Sequence, residues 1–129
     1  LEQLRLLEEN IRTRERYYEA LEEVVRGNSD LRVLERGHLK RLSSFAFPVL
    51  CANRELRDRY CAQFSGAGIE IRPMIAGNIQ KQPFYQKYVR EIYALPGTDE
   101  IDACGFYCGL YPELTSEDLE TIKSCLSRY

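Results

Sequence analysis

The segment from Ile69 to Tyr85 gathers the side chains best suited to binding a polar ligand. It begins with the alternation of a strand and continues as an irregular loop bracketed by Pro73 and Pro83. Arg72 directly follows the strand, where a guanidinium can hold a phosphate or carboxylate through two parallel hydrogen bonds. Most connections need about 4–6 residues, so a longer polar loop is typical of a binding loop mounted on a rigid scaffold.

Two amides in this loop extend the candidate site. Asn78 and Gln82 can each donate and accept hydrogen bonds at once, which suits the hydroxyl groups of a sugar. An asparagine after Gly77 can equally stabilise the turn itself, and Arg72 can equally form a surface ion pair of little value. The sequence predicts Arg72, Asn78 and Gln82 as substrate-binding residues, with these structural roles as the alternatives.

Aromatic residues follow the loop at short intervals. Tyr85, Tyr88 and Tyr93 could stack on a sugar or a base, but aromatic residues on a short helix are more often part of the core. We therefore expect these three rings to be buried.

Cysteine and histidine give little support for nucleophilic or metal chemistry. An odd number of cysteines without a Cys-x-x-Cys pair fits free thiols in a reducing cytosol, and a zinc site needs four well-spaced ligands. No metal site is expected. His38 lies in a charged loop, where a solvated histidine is favoured over a member of a Ser-His-Asp triad. Cys104 and Cys108 are the cysteines considered as nucleophiles, but no basic cluster near them lowers a thiol pKa. The cysteines are Cys51, Cys61, Cys104, Cys108 and Cys125.

Composition limits the possible partners. A chain of 129 residues with 44% hydrophobic and 29% charged residues is one globular domain by length. A net charge of -2 does not favour a nucleic-acid surface, and no apolar run reaches the roughly 18 residues of a membrane span. The chain begins at Leu1 and its single methionine is Met74, so we expect a trimmed piece of a longer polypeptide. The free thiols indicate a cytoplasmic location.

The first 26 residues predict one long helix, because apolar residues recur at steps of three and four. Arg14 is the one polar residue on this stripe, and Gly27 with Asn28 provides a stop signal. Docking along a larger body is favoured over a coiled coil, and part of the stripe is expected to face something outside this chain. The apolar positions are Leu4, Leu7, Ile11, Tyr18, Leu21 and Val25.

The remaining elements alternate between short strands and helices. Asn53 and Thr115 are good N-caps, the latter in an imperfect capping box with Asp118, and Thr98 is predicted to cap a further short helix. Pro48 suggests that its strand lies at an edge, or that the strand ends there. The predicted strands are 31–34, 43–51, 69–72 and 105–111, and the predicted helices are 54–64, 84–93, a short one from Thr98 and one from Thr115.

This order predicts an α/β (α+β) fold in which a short, largely antiparallel sheet is packed by helices. The whole of 1–129 reads as a single domain, with 1–27 as a long helix and 28–129 as the small α/β body.

Several blocks together resemble the C-terminal small domain of the DegT/DnrJ/EryC1/StrS family. The members of this family are type I PLP-dependent nucleotide-sugar aminotransferases. The start, LEQLRLLEENIRTRERYYEAL, is similar to the family's interdomain helix, with its Gln-Leu start and its arginine pair, Arg12 with Arg14 or Arg16. SSFAFPVL, GAGIEIRPMIAGNIQKQPFYQ and GFYCGLYPELTSEDLETI resemble its core strand, substrate-side strand with loop, and closing strand with helix. The Arg-Pro, Ala-Gly-Asn and Gln-Pro elements are most similar to the sugar 3-dehydratase branch.

The resemblance implies what the chain lacks as well as what it contributes. The family's Schiff-base lysine (a histidine in the dehydratases) and its other PLP contacts lie in a large domain outside this sequence, so no catalytic or cofactor-binding residue is expected here. Lys40, Lys81, Lys87 and Lys123 match none of those positions, and no iron–sulfur motif matches.

In the parent enzyme, the resemblance implies bound PLP, a nucleotide-sugar substrate, a homodimer and a role in bacterial lipopolysaccharide, O-antigen or deoxysugar synthesis. This chain contributes Arg72, Asn78 and Gln82 as a wall of the substrate site. The alternatives from the residues alone are a non-catalytic dimerisation or interaction module built on the long helix, and a small independent enzyme using Arg72 and a cysteine.

Overall fold

The computed structural model describes residues 2–75 and 77–128, with side chains described from residue 4 onward. Leu1, Ala76 and Tyr129 lie outside the described residues, and Ala76 belongs to the Ala-Gly-Asn element noted above. The helices are α1 (Glu2–Arg5), α2 (Leu7–Arg26), α3 (Arg54–Gly66), α4 (Pro83–Tyr88), α5 (Pro96–Cys104) and α6 (Ser116–Leu126), with a 3-10 helix at Ile79–Lys81. The strands are β1 (Leu31–Arg32), β2 (Ala46–Cys51), β3 (Ile71–Pro73) and β4 (Gly105–Gly109).

The strands form one sheet in the order β1-β2-β4-β3, and every neighbouring pair is antiparallel. Helices α2, α3 and α6 cover one face of this sheet and share its hydrophobic core. The predicted mixed fold, a short antiparallel sheet packed by helices that include a long N-terminal one, is confirmed. The largest fully buried side chains are Tyr60, Phe64, Phe106, Leu21, Leu110 and Leu126.

The N-terminal helix is interrupted rather than continuous. Leu6 separates α1 from α2, so the prediction of one helix over the first 26 residues is wrong at this point. Only the second half of the apolar stripe enters the core, at Tyr18, Leu21 and Val25, whereas Leu4 is 63% exposed. No helix among the residues that the structure describes is long and apolar enough to cross a bilayer.

Pro48 lies in the middle of an inner strand, so its predicted edge or end position is wrong. The Ala52 amide donates to the Asp30 carbonyl at 2.8 Å, so even-numbered residues of β2 direct their N–H toward β1. Because β1 ends at Arg32, opposite Leu50, the nitrogen of Pro48 faces the place where β1 has stopped. The missing N–H therefore breaks no ladder bond.

Local capping signals decide where two of the helices begin. Asn53 Oδ1 accepts the Leu56 amide at 2.9 Å, which confirms the predicted start of α3. Thr115 Oγ1 accepts the Asp118 amide at 3.1 Å while Asp118 accepts the Thr115 amide at 2.9 Å, which closes a full capping box for α6. Thr98 is not a cap, because α5 already begins at Pro96, a residue that needs no N–H partner in the first turn.

The sheet register places Arg72 on the face of the sheet that points away from the core. Phe106 and Cys108 point into the core, so by strand alternation Tyr107 points away from it. Arg72 pairs with Tyr107 across β3 and β4 and therefore shares this outer face. The edge strand β3 thus presents Arg72 outward while its neighbour Ile71 packs against the core.

Candidate substrate-binding groove

A groove of about 580 Å³ opens at the N-terminal end of β3 and extends to the first turns of α6. Its charged lining residues are Arg72, Glu70 and, from α6, Glu117 and Asp118. The walls also include residues 67–69, Tyr107 and Gly109 of β4, and Tyr111 just beyond that strand.

Arg72 is held loosely. Its Nε and Nη2 donate to Glu70 Oε1 at 2.9 and 2.5 Å, and the two side chains are 65% and 75% exposed. An ion pair this exposed contributes little to stability, typically about 0–1 kcal/mol. A guanidinium also carries five N–H donors, so Arg72 can turn toward an anion at small cost and bind it through two of them.

The outer face beside Arg72 is aromatic, which the sequence reasoning did not predict. The Tyr107 ring meets the Phe45 ring edge to face, with centroids 6.3 Å apart and an interplanar angle of 80°. Tyr111 lies half exposed beyond Gly109. Strand alternation around Phe106 and Cys108 is the signal that could have placed Tyr107 on the outer face of the sheet.

The side chain of Asn78 holds its loop together through hydrogen bonds. Its side chain is buried, its Oδ1 accepts the Gln80 amide at 3.0 Å, and its Nδ2 donates to Asp99 Oδ1 at 2.8 Å. The amide that the sequence predicts as a substrate ligand therefore caps the 3-10 helix and ties it to α5. Asn78 therefore fixes the loop that follows Arg72.

Gln80 makes a second clamp, which sequence reasoning missed. Its Nε2 donates to the Tyr93 carbonyl at 2.9 Å, and its Oε1 accepts the Tyr93 amide at 2.6 Å. The side chain thus pairs with the backbone of Tyr93 as a neighbouring strand would. Nothing in the sequence separates Gln80 from Gln82, because only the phase of the 3-10 helix turns the first inward.

Lys81 completes the set of polar contacts that hold the loop. Its Nζ lies 2.8 Å from Asp99 Oδ1 and 3.1 Å from Asp102 Oδ2. The hydrogen bond to Asp99, followed by that to Asp102, raises the pKa of Lys81, and the bond from Lys81 lowers the pKa of Asp99. Lys81 is therefore a charged anchor, and a protonated amine is not a nucleophile.

Gln82 lies at the junction of the 3-10 helix and α4. Its backbone amide donates to the Ile79 carbonyl at 3.1 Å, and its carbonyl accepts the Tyr85 amide at 3.0 Å. Of the three predicted ligands, Arg72 lines the groove, whereas Asn78 and Gln82 belong to the adjoining loop.

The aromatic residues after the loop are not core residues, contrary to expectation. Tyr88 and Tyr93 are 72% and 63% exposed, and Tyr85 is half-buried with its hydroxyl donating to the Glu91 carbonyl at 3.1 Å. The inner positions of this region are taken by Asn78 and Gln80, so the rings remain outside.

The thiols are placed for packing. Burial raises the pKa of Cys51 and that of Cys108 to about 12, so neither is a thiolate at neutral pH. All five cysteines are free, and the described part of the chain contains no group of three or more His, Cys, Asp or Glu residues arranged to hold a metal ion. A nucleophilic mechanism through Cys108 is therefore unsupported.

The chain was then compared with known proteins. The model of the DegT/DnrJ/EryC1/StrS aminotransferase family matches residues 1–127, which confirms the resemblance identified from the sequence. No curated protein sequence matches.

The solved structures with a similar fold include the following three. A DegT/DnrJ/EryC1/StrS aminotransferase from Brucella abortus has a TM-score of 0.81 at 21% identity, covering 98% of this chain and 32% of its own. GDP-4-keto-6-deoxy-D-mannose-3-dehydratase of E. coli, solved with bound hydrated PLP, gives 0.81 at 21% identity, with 98% and 33% covered. A sugar aminotransferase from Micromonospora echinospora gives 0.80 at 15% identity, with 95% and 31% covered. The chain spans about a third of the length of each structure.

Proposed function

The chain belongs to the DegT/DnrJ/EryC1/StrS aminotransferase family, and we propose that it is the small C-terminal domain of a nucleotide-sugar aminotransferase or 3-dehydratase. The match over residues 1–127 is the observation that carries this proposal. In this account 1–27 is the interdomain helix and 28–129 the small domain of a longer, cytoplasmic, homodimeric enzyme. The parent enzyme acts in bacterial lipopolysaccharide, O-antigen or deoxysugar synthesis.

The proposal assigns PLP to the part of the parent outside this chain, because the residues here do not fit the cofactor. A Schiff-base lysine must lose its proton, whereas Lys81 is held charged by Asp99 and Asp102. Lys123 is paired with Glu120 at 2.6 Å, and Lys40 and His38 are exposed on the loop between β1 and β2. The contribution of this chain is to bind and orient the substrate.

Arg72 is the residue proposed to bind the diphosphate of the nucleotide sugar. It lines the groove, it is exposed, and its partner Glu70 is also exposed. A bidentate arginine suits a phosphate better than a point charge does, because both N–H groups meet oxygens in one plane. Positioning the substrate in this way lowers the barrier even though Arg72 takes no part in bond breaking.

Asn78 and Gln82 are proposed to serve the same substrate by different routes. Asn78 fixes the loop through Asp99 and the Gln80 amide, so its effect on the substrate passes through loop position. Gln82, on the outer turn of that loop, is the amide proposed to contact sugar hydroxyls.

The test of the proposed function is an assay of the full-length parent with PLP and GDP-4-keto-6-deoxymannose, followed by a panel of other nucleotide 4-ketosugars. Mass spectrometry of the product separates the gain of an amino group from the loss of a hydroxyl group. We expect one of these two products, and Gln82→Ala is expected to raise KM. A parent that converts none of the panel overturns the proposal.

A second candidate, an interaction module that dimerises through its N-terminal helix, is favoured by one observation. Leu4, Leu6 and Leu7 are all at least half exposed at the start of that helix. Sedimentation equilibrium of the 129-residue chain tests it. A dimer that Leu4→Ser and Leu7→Ser together convert to monomer supports the module, and a monomer at all concentrations excludes it.

A further inference from the structure

We propose that Asp99 and Asp102 of α5 are positioning residues for substrate binding, which hold the loop between β3 and α4 in the conformation that presents Gln82. This inference rests on the proposed function, in which Gln82 contacts sugar hydroxyls. It goes beyond that function by giving two residues of a different element a part in binding. Neither aspartate lines the groove, so both act through the loop.

The loop needs support from outside because its first turn is strained. The Ile75 amide donates to the Pro73 carbonyl at 2.7 Å, which closes a tight turn at Met74, and the φ of Ile75 is +42°. A β-branched residue rarely adopts this left-handed conformation, which persists only where the surrounding structure fixes it. The Ile75 side chain is 84% exposed, so its own packing does not supply that support.

Asp99, in the first turn of α5, makes the first of the supporting contacts. Its Oδ1 accepts a hydrogen bond from Asn78 Nδ2 at 2.8 Å and lies 2.8 Å from Lys81 Nζ. The Asn78 side chain is buried, so removal of the carboxylate would leave a buried amide donor without its partner. Asp99 therefore ties both ends of the 3-10 helix to α5.

Asp102 supports the same loop one turn further along α5. Its Oδ2 lies 3.1 Å from Lys81 Nζ. Its Oδ1 lies against Gly77, where an added Cβ would be only 1.8 Å away. The two carboxylates thus contact the loop at Gly77, Asn78 and Lys81, and the last of these directly precedes Gln82.

The expected consequence is for binding more than for global stability. The ion pairs of Lys81 with Asp102 and Asp99 are partly exposed, and such pairs add little to the stability of the whole domain. A loop released from α5 occupies its binding conformation for only part of the time, and the apparent affinity falls by that fraction. Once the substrate is bound the site is the same, so KM rises while kcat stays nearly unchanged.

The experiment measures steady-state kinetics of the full-length parent with its nucleotide sugar. Asp102→Ala is compared with Glu100→Ala, because Glu100 lies on the same helix between the two aspartates and pairs with Arg32 of β1. We expect Asp102→Ala to raise KM about tenfold, as for a loop in its binding conformation about a tenth of the time, with kcat within about twofold. Asp99→Ala is expected to raise KM further, and Glu100→Ala is expected to keep the wild-type KM.

Variants of Lys81 separate the contact from a general effect on folding. Lys81→Arg keeps a positive charge for both carboxylates and is expected to have a KM near that of wild type, whereas Lys81→Met is expected to raise it. Addition of Asp102→Ala to Lys81→Met is expected to change KM by less than about twofold, because both substitutions remove the same contact.

Hydrogen exchange of the 129-residue chain reports on the loop without a substrate. The amides of Lys81 and Gln82 donate to the carbonyls of Asn78 and Ile79 at 2.9 and 3.1 Å, so they report on the 3-10 helix. We expect these two amides to exchange about tenfold faster in Asp102→Ala, since exchange follows the local opening equilibrium. Glu100→Ala is expected to leave their exchange rates unchanged.

A wild-type KM in both Asp102→Ala and Asp99→Ala overturns this inference, whatever the exchange rates. A parallel fall of kcat and melting temperature in Asp102→Ala also overturns it, because that result identifies a purely structural residue. In both cases the wild-type parent still converts nucleotide sugars, and the proposed function stands. Absence of any turnover by the wild-type parent is the separate failure of the proposed function.

Discussion

The helix-covered face of the sheet and the loop region 74–95 differ in which side chains they bury. Under the helices, rings such as Phe64 and Phe106 are fully buried. In the loop region the buried side chains are the amides of Asn78 and Gln80, and most of the apolar side chains are exposed. The exposed ones include Ile75, Ile79, Phe84, Tyr88, Ile92 and Tyr93. The first region stabilises itself, and the second is held in shape by polar contacts while it presents apolar surface.

The accessible surface is consistent with this difference. The chain exposes 8912 Å², whereas a compact monomer of 15.1 kDa exposes roughly 7,100 Å². The excess of about 1,800 Å² is roughly twice the ~800 Å² that each partner buries in a standard protein–protein interface. Under the proposed function, the remainder of the parent enzyme covers this surface.

The largest effect expected from the comparison is a difference between two phenylalanines. Phe106→Ala removes a fully buried ring and is expected to lower the free energy of unfolding by about 3–5 kcal/mol. Phe84→Ala removes a ring that is 53% exposed and is expected to change it by less than about 0.5 kcal/mol. Urea denaturation of the 129-residue chain measures both, and equal losses would end the distinction between the two regions.

The next effect concerns Glu22, which joins the loop after β1 to α2. Its carboxylate accepts from Arg36 Nε and Nη2 at 2.9 Å each and from Arg26 Nη2 at 2.8 Å. These bonds, that from Arg36 foremost, lower the pKa of Glu22 from 4.5 to about 2. A pKa lower in the folded than in the unfolded state contributes stability above about pH 4.5, and this is lost as the pH falls toward 2.

The stability linked to Glu22 is on the order of 3 kcal/mol. Wild type is expected to lose most of it between pH 5 and pH 2, and Glu22→Gln is expected to be less stable at pH 7 and to lose less on acidification. Chemical denaturation across this range measures the difference, with the exposed Glu23→Gln as control. Parallel pH profiles for wild type and Glu22→Gln contradict this role.

A smaller effect on the free energy of unfolding is expected at Gly77, which lies in the turn between β3 and the 3-10 helix. Its φ is +56°, and a Cβ there would lie 1.8 Å from Asp102 Oδ1, the carboxylate that also anchors Lys81. Gly77→Ala is expected to destabilise by about 1–3 kcal/mol. Gly97→Ala, in the first turn of α5 with nothing within 4 Å of the new Cβ, is expected to stabilise slightly. A neutral Gly77→Ala would show that the loop adapts.

The smallest effect on stability is expected at the groove itself. Arg72→Ala loses an exposed pair with Glu70 and is expected to change the free energy of unfolding by no more than about 0.5 kcal/mol. Thermal denaturation checks this expectation. A loss above 1.5 kcal/mol would identify Arg72 as a structural residue and not a ligand.

Local signals explain what the sequence could predict. The caps at Asn53 and Thr115 depend on neighbouring residues alone, and both helices begin where expected. Pro48 and the rings at Tyr88 and Tyr93 were misplaced because their positions depend on which strand stops short and which amides occupy the inside of the loop. Both depend on tertiary packing, which local sequence signals do not determine.

The candidate site likewise contains a residue that the sequence could predict and a surface that it could not. Arg72 could be predicted as a candidate ligand because its place at the strand that leads into the polar loop can be identified from neighbouring residues alone. The aromatic surface beside it requires the pairing of β3 with β4, which sequence spacing does not contain.

The most direct measurement is kcat/KM of the full-length parent for its nucleotide sugar with Arg72→Ala, beside Arg54→Ala as an exposed arginine outside the groove. Loss of a charged hydrogen-bonding partner of a diphosphate predicts a fall of roughly 10- to 100-fold in Arg72→Ala. Arg72→Lys is expected to recover part of the lost kcat/KM, and Arg54→Ala is expected to keep the wild-type kcat/KM. Wild-type kcat/KM in a folded Arg72→Ala enzyme would contradict the account that this face of the chain is a wall of the substrate site.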